Sequence, residues 1–242
     1  VIRVLVLREA AAARQTADAL QARGMAALIM PLETVVRLDP PPPPEAGAVT
    51  GFLITSAHAI AWLQRHYAGD GRRVFAVGPA TARNARAAGF ADVVAAAGSA
   101  QSLAALLMQE GPGDGPLLYA AGVDRRPDLE LALAAAGRAV IVRECYDVVF
   151  RAPEPAERAA MTGATAPDCA LLLSAGQARA FAALVPDGMV GPRPYCLSAR
   201  IAQALPPRLL HNCVVSPVPA LDGLLAMLEN DRCSLETRRY MQ

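Results

Sequence analysis

The sequence predicts an α/β protein of two lobes, each a mostly parallel sheet covered by helices, and three observations carry that prediction. First, short β-branched and apolar runs alternate with stretches of helical spacing, as in strands joined by crossover helices. Second, the chain repeats itself. Residues 4–36 lie over residues 117–149 without a gap, so that Gly24 falls on Gly137, Leu20 on Leu133, Ile29 on Val142 and Val35 on Val148. A second set follows each copy: residues 53–57 (LITSA) resemble 171–175 (LLLSA), and residues 75–78 (FAVG) resemble 195–198 (YCLS). Third, hydrophobic residues make up 54% of the 242, ample for buried cores. A duplicated chain folds as two similar lobes, and the gap between them is where a ligand would sit.

The opening reads as a strand at 4–7, a helix at 10–23 stopped by Gly24, and a strand at 27–30. This is a βα unit feeding a parallel sheet. Residues 33–38 alternate like a strand. Asp39 and the prolines 40–44 follow; proline fixes φ and lacks the amide hydrogen, so this stretch is an extended, semi-rigid linker. Next come a buried strand at 51–55, a helix at 57–66 capped by Thr55 or Ser56, and a strand at 74–77. Residues 78–81 (GPAT) open a helix that runs to Ala88 and stops at Gly89, and Ser99 or Ser102 caps another through Met108. Residues 111–116 (GPGDGP) form a turn-rich link. The cycle restarts with a strand at 117–119, while 146–151 reads as the antiparallel partner of 35–38. The second half repeats the pattern, with strands at 169–173, 195–197 and 213–215 and helices at 175–184, 199–205 and 221–229. Residues 231–242, polar and aperiodic, read as a mobile tail.

Composition excludes several functions. The net charge is +1 and no basic cluster exceeds two adjacent arginines, so the footprint of a nucleic-acid binder is missing. No apolar run approaches the roughly 18 residues of a membrane span, and Arg3, Arg8 and Glu9 interrupt what a signal peptide would keep apolar. A cytoplasmic protein is expected. Cys145, Cys169, Cys196, Cys213 and Cys233 form no CxxC, and His58, His66 and His211 lack metal-ligand spacing, so buried reduced thiols and no metal are expected. The GxGxxG, Walker lysine and GxSxG patterns are missing, which removes dinucleotide binding, NTP chemistry and α/β-hydrolase catalysis.

Candidate functional residues stand at strand ends. Thr55, Ser56 and Ser174 lie where open α/β sheets bind ligands and helix N-terminal amides meet anions, and Gly78 with Thr81 has the same character. Helix capping alone would also place hydroxyls there. Gly122 ends a strand, and Arg125 and Arg126 precede a helix opening at Pro127; these arginines either reach ligand carboxylates or pair with Asp124 and Asp128 in a solvated turn. Tyr146 interrupts an apolar strand, where it is either a core residue or a half-buried phenol able to donate a proton.

The order of these motifs, residues 6–8 (VLR), Pro31-Leu32, 54–57 (ITSA), 77–82 (VGPATA), Gly122 with Arg125, 142–146 and 172–174 (LLS), resembles the uroporphyrinogen-III synthase family over about residues 1–230. The resemblance implies two Rossmann-like lobes joined by a two-stranded ladder, with a cleft between them. Lobe one would be 1–34 with 152–242, lobe two 40–145, and the ladder 35–39 with 146–151. It implies cyclisation of hydroxymethylbilane, an octacarboxylate linear tetrapyrrole, with inversion of ring D and loss of water, using no metal or organic cofactor. A cytoplasmic monomer is implied, with a transient contact to the preceding pathway enzyme. Tyr146 matches a tyrosine proposed to assist loss of the substrate hydroxyl. Arg8, Thr55, Ser56, Gly78, Thr81, Gly122, Arg125, Ser174 and Ser198 would bind substrate. The second half departs from the family pattern: Leu173-Ser174 replaces a TS pair, and residues 198–201 (SARI) replace GxxT. Ile201 cannot donate a hydrogen bond, so a threonine's role there would be lost or pass to Ser198 or Arg200. Because hydroxymethylbilane ionises readily to an azafulvene, the enzyme's task would be orientation of the attacking ring. Two other readings use the same features: a non-catalytic two-lobed protein for a small anionic metabolite, and a flavodoxin-like flavin carrier, against which stand 5% aromatic residues and no phosphate loop.

Overall fold

The computed structural model describes residues 1–43, 46–111, 115–189, 191–218, 220–232 and 235. In chain order the elements are β1 (Arg3–Val6), α1 (Ala10–Gln21), β2 (Ala26–Ile29), β3 (Glu33–Arg37), β4 (Gly51–Ile54), α2 (Ile60–Tyr67), β5 (Arg73–Ala76), α3 (Pro79–Ala87), β6 (Val93–Ala95), α4 (Ala100–Gln109) and β7 (Leu117–Gly122). They continue with α5 (Asp128–Ala135), β8 (Val140–Phe150), α6 (Pro155–Ala159), β9 (Cys169–Leu172), α7 (Ala175–Leu184), β10 (Arg193–Cys196), α8 (Ala199–Ala202), α9 (Pro207–Leu210), β11 (Val214–Val215) and α10 (Leu221–Asn230). Two compact units result: Val1–Thr34 with Val149–Gln242, and Val35–Val148.

The first unit holds a five-stranded sheet in the order β11-β10-β9-β1-β2, every pairing parallel. Strand alternation divides its core into two layers. Leu5, Ala170, Leu172 and Cys196 face α7 and α8, with Phe181, Leu184 and Ile201 packed among them. Val4, Val6, Cys169, Leu171 and Tyr195 face the other way, against α1 and α10.

The second unit holds a six-stranded sheet in the order β3-β8-β7-β4-β5-β6. Pairings from β8 through β6 are parallel. The hydrogen bonds from Leu38 N to Cys145 O and from Arg151 N to Leu32 O run β3 antiparallel to β8. Phe52, Ile54, Val74, Leu118 and Ala120 face α2 and α3, while Leu53, Phe75, Leu117, Tyr119 and Ala121 face α4 and α5. All six residues of β7 are buried, as expected of a central parallel strand covered on both faces.

The internal repeat is visible in both sheets. Leaving out β3, β8-β7-β4-β5-β6 has the same order as β2-β1-β9-β10-β11. The βαβ of the first copy pairs with the last three strands of the second, and the βαβ of the second copy with those of the first. The crossover helices end alike. Gly24 (φ +69°) and Gly137 (φ +70°) both take the left-handed conformation. Met25 N donates to Leu20 O at 3.0 Å, and Arg138 N to Leu133 O at 2.8 Å, closing the same C-terminal motif in the two copies.

Several elements differ from the sequence reading. The helix expected at 57–66 begins with a 3₁₀ turn at Ala57–Ala59, and the one expected at 199–205 breaks at Ala202, because Pro206 and Pro207 cannot donate to a continuing helix. Pro127 caps α5 from outside, so the helix opens at Asp128. The expected strand at 213–215 is Val214–Val215. β6 and α6 are too short for their periodicity to stand out in the sequence. Residues 146–150 belong to β8, which starts at Val140. In the proline stretch, Trp62 Nε1 donates to Pro40 O at 2.9 Å and Arg143 Nε to Pro41 O at 3.3 Å, while Pro44 lies outside the described residues. The link at 112–114 also lies outside them. In the segment 231–242, Asp231 accepts from Tyr195 Oη at 2.8 Å and Leu235 is 1% exposed in the first unit's core, so these two belong to the fold. Cys145, Cys169 and Cys196 are buried free thiols; the half-buried Cys213 lies with its sulfur 3.4 Å from that of Cys196, and Cys233 lies outside the described residues.

Gly137→Ala tests the helix stop. A Cβ there meets nothing within 4 Å, so its whole cost is backbone conformation. We expect a loss of about 1 kcal/mol in unfolding free energy, read from the denaturant midpoint at unchanged slope.

Candidate active site

In the second unit, the ends of β4, β7 and β8 bring side chains together. β4 and β7 run side by side with Leu53 opposite Tyr119. The Tyr119 hydroxyl thereby reaches past the end of β4 and lies 2.9 Å from Thr55 Oγ1. Thr55 thus spends its hydroxyl on a buried tyrosine rather than on a helix cap. Ser56 does cap, accepting from His58 N at 3.3 Å.

Tyr146 lies across Gly122. A Cβ on Gly122 would fall 2.7 Å from Tyr146 Cε2 and 3.0 Å from its hydroxyl oxygen, so only glycine admits the ring. The ring is 8% exposed and meets His58 with centroids 5.4 Å apart. Burial pushes the phenol up to about 12, and its contact with the Ser56 hydroxyl pulls the other way without prevailing. The phenol is therefore protonated at any physiological pH, as a proton donor must be. Burial raises Tyr119 too, partly offset by the bond to Thr55.

Arg125 is engaged inside this unit. Its Nη1 donates to Gly122 O at 3.0 Å and to Glu144 Oε1 at 2.7 Å, and its Nε donates to Glu130 Oε1 at 2.7 Å. Burial disfavours the cation, but the two carboxylates outweigh it and hold the pKa above the ordinary arginine value. Of the pairings expected from sequence, Arg126 with Asp128 is present.

At the end of β5, Gly78 precedes α3. Its backbone is extended, and a Cβ would meet Gly98 Cα at 3.1 Å, so the glycine serves a close approach of two loops. It supplies no side-chain cap, which leaves the first turn of α3, with Thr81 as its third residue, without a capping hydroxyl.

The first unit presents the equivalent strand ends. Ser174 accepts from Gln177 N at 3.1 Å, an ordinary N-cap, whereas Ser198 makes no capping bond. Ile201 is 2% exposed in the core, which explains why a donor is missing there, and Arg200 is exposed. Arg8 donates to Thr16 Oγ1 at 3.1 Å; burial lowers its pKa, while Glu33 and Glu9 pull it back up. Gln177, 3% exposed, accepts from Leu173 N at 2.8 Å and donates to Glu33 Oε2 at 2.9 Å, tying the end of β9 to Glu33 within the first unit.

Thr55, Ser56, Gly122 and Tyr146 thus come together, with Gly78 and Thr81 at another strand end of the same sheet; Arg8, Ser174 and Ser198 belong to the other unit. Sequence reading missed Tyr119, His58, Glu144 and Gln177. Tyr119 had a legible signal, a phenol inside an otherwise aliphatic buried strand that must find a partner. The others did not.

Among the described residues, no group of three or more His, Cys, Asp or Glu side chains is placed to hold a metal ion, and no helix is long and apolar enough to cross a membrane. Two parallel-dominated sheets covered by helices, with hydroxyl-bearing residues at their carboxyl ends, define the class: a two-unit α/β protein of the kind that places its site at strand ends. The family model described as uroporphyrinogen-III synthase HemD matches residues 14–226. The chain belongs to the uroporphyrinogen-III synthase family, cyclising lyase-type enzymes of haem biosynthesis. No curated protein matches it by sequence. The crystal structure of uroporphyrinogen-III synthetase from Helicobacter pylori 26695 is similar with a TM-score of 0.64 at 13% identity, over 95% of this chain and 98% of that one. A mutant uroporphyrinogen III synthase from the extremely thermophilic bacterium Thermus thermophilus is similar with a TM-score of 0.56 at 20% identity, over 98% and 100%. At these identities the likeness shows the fold.

The buried phenol sets a pH dependence. A folded pKa raised to about 12 leaves stability intact below the unfolded value of about 10 and removes it as pH climbs through 12. Unfolding midpoints measured between pH 9.5 and 12, roughly that window, should fall less steeply in Tyr146→Phe than in wild type. Parallel curves would show that Tyr146 ionises as freely folded as unfolded.

Proposed function

We propose that this chain closes hydroxymethylbilane to uroporphyrinogen III with the phenol of Tyr146 as proton donor to the departing hydroxyl. The observation that carries the reading is Tyr146 itself, held protonated over Gly122 at the end of a parallel sheet, in a chain of this family. The terminal carbon–oxygen bond breaks, the oxygen takes the phenolic proton and leaves as water, and the resulting azafulvene is attacked by the substituted α-carbon of ring D. That carbon's bond to the bridge from ring C then breaks and the bridge re-bonds to ring D's free α-carbon, which inverts the ring. Ring closure releases one proton from the attacking pyrrole, which restores the phenol. No strong base is required, because the bilane ionises readily and the outcome is decided by which carbon is held within reach.

The substrate is an octacarboxylate. Its carboxylates would be met by hydroxyls and backbone amides at the strand ends of the second unit, Thr55, Ser56, Gly78 and Thr81. A small net charge is compatible with this, since local amides do what global charge does not. The enzyme would act as a cytoplasmic monomer without metal or organic cofactor, meeting the preceding pathway enzyme transiently.

Incubation with enzymatically generated hydroxymethylbilane, followed by oxidation and chromatography, tests the reading. Wild type should give mainly the type III porphyrin, and Tyr146→Phe should be slower by about 10² to 10⁴ with a larger type I fraction from spontaneous closure. A wild-type mixture identical to buffer alone would remove the enzymatic reading and leave a protein that only binds an anionic metabolite.

A further inference from the structure

The face of the sheet on which Tyr146 lies is set by a break in strand register. β8 follows β7 residue for residue from Val140 opposite Leu117 to Glu144 opposite Ala121, and then Gly122 faces Tyr146. Cys145 is the extra residue of a bulge. Its effect can be read from the core. Up to Glu144, β8 alternates, with Ile141 packing toward α2 and α3 and Val140 and Val142 toward α4 and α5. Cys145 and Tyr146 then both lie in the α2 and α3 layer. Without the bulge, Tyr146 would point to the α4 and α5 layer and away from Ser56.

Something must hold this bulge. Cys145 Sγ donates to Ala121 O at 3.4 Å, Leu38 N donates to Cys145 O at 2.9 Å, and Val123 N donates to Tyr146 O at 3.0 Å. The remaining tie is ionic. Arg125 Nη1 binds Glu144, the last residue before the bulge, and Gly122 O, the residue on which the tyrosine ring rests, while Nε binds Glu130 of α5. One guanidinium therefore spans both strands where their register changes.

We propose that Arg125, through Glu144 and Gly122, is the positioning residue that holds Tyr146 in its reactive place, and does not itself bind substrate carboxylates. This rests on the reading of Tyr146 as the proton donor. A planar guanidinium with its donors fixed in a fork suits this task, because it fixes directions as well as distances. Displacing a reacting group by about 1 Å costs on the order of 10²-fold in rate. The expected signature is therefore a loss in kcat rather than a rise in KM.

A double-mutant cycle decides the matter. Arg125→Ala should lower kcat by roughly 10- to 100-fold, raise the type I fraction and leave KM little changed. In the Tyr146→Phe background the same substitution should cost nothing further, because the group it positions is gone. Glu144→Gln, which keeps the size of the side chain, should repeat the pattern more weakly and serves if Arg125→Ala does not fold. Ultraviolet phenolate titration gives an independent readout. The Tyr146 contribution, taken as each protein minus its Tyr146→Phe partner, should fall from about 12 toward the ordinary value of about 10 once the ring is freed. A raised KM that persists in the Tyr146→Phe background would overturn the proposal and give Arg125 to the substrate. If Tyr146→Phe keeps full turnover, the reading of Tyr146 as acid fails separately. The titration then still judges the clamp, which is overturned if neither Arg125→Ala nor Glu144→Gln moves it.

Discussion

The pairing of β8 with β7 is the constraint on which the candidate site depends. β8 is an eleven-residue strand that extends the parallel sheet on one edge and takes β3 antiparallel on its other edge. A uniform register would serve the sheet equally well, since the hydrogen-bonding capacity of the backbone is the same at every step. The one-residue shift at Cys145 alters only what faces where, and it turns a tyrosine that alternation would send to one layer into the opposite one. Gly122 completes the arrangement by leaving the space that any Cβ would fill.

The duplication has a consequence for the fold. Because each sheet combines the βαβ of one copy with three strands of the other, the chain passes from one unit to the other inside β3 and inside β8. Gly24 and Gly137 repeat to within a degree of φ, so the local instructions were preserved even though the copies exchange partners. Preserved sequence need not mean preserved chemistry. Ser56 and Ser174 occupy equivalent strand ends and both cap helices, yet the residue before them is Thr55 in one copy and Leu173 in the other. The pairing of Thr55 with Tyr119 therefore has no counterpart in the repeat.

Strand-end hydroxyls divide into those used by the fold and those left open. Ser56 and Ser174 satisfy helix amides and Thr55 satisfies a buried phenol, whereas Ser198 makes no capping bond and Gly78 offers α3 no side chain at all. Capping and ligand binding draw on the same donors and acceptors, so residue type alone cannot separate them. The same holds for Arg125. A turn arginine beside two aspartates invites either a solvated pair or a ligand, and its partners turned out to be Glu130 and Glu144, the second 19 residues away.

By itself the sequence determined what depends on near neighbours. Apolar runs place the strands, left-handed glycines end the crossover helices, and the repeat announces two sheets of one design; these features act within a few residues, where spacing is the geometry. The boundaries that differ, at Ala202 and at Ala57–Ala59, are places where a proline pair or a tight turn competes with periodicity. The motif order carried the family, which the match over residues 14–226 shows. Only the tertiary structure decided which layer Tyr146 faces, that Arg125 reaches across a bulge, that Tyr119 meets Thr55, and that Gln177 joins β9 to Glu33 across 144 residues of chain. A bulge of one residue leaves no trace in composition or period, and a hydrogen bond between distant residues exists only once parallel strands have fixed their register.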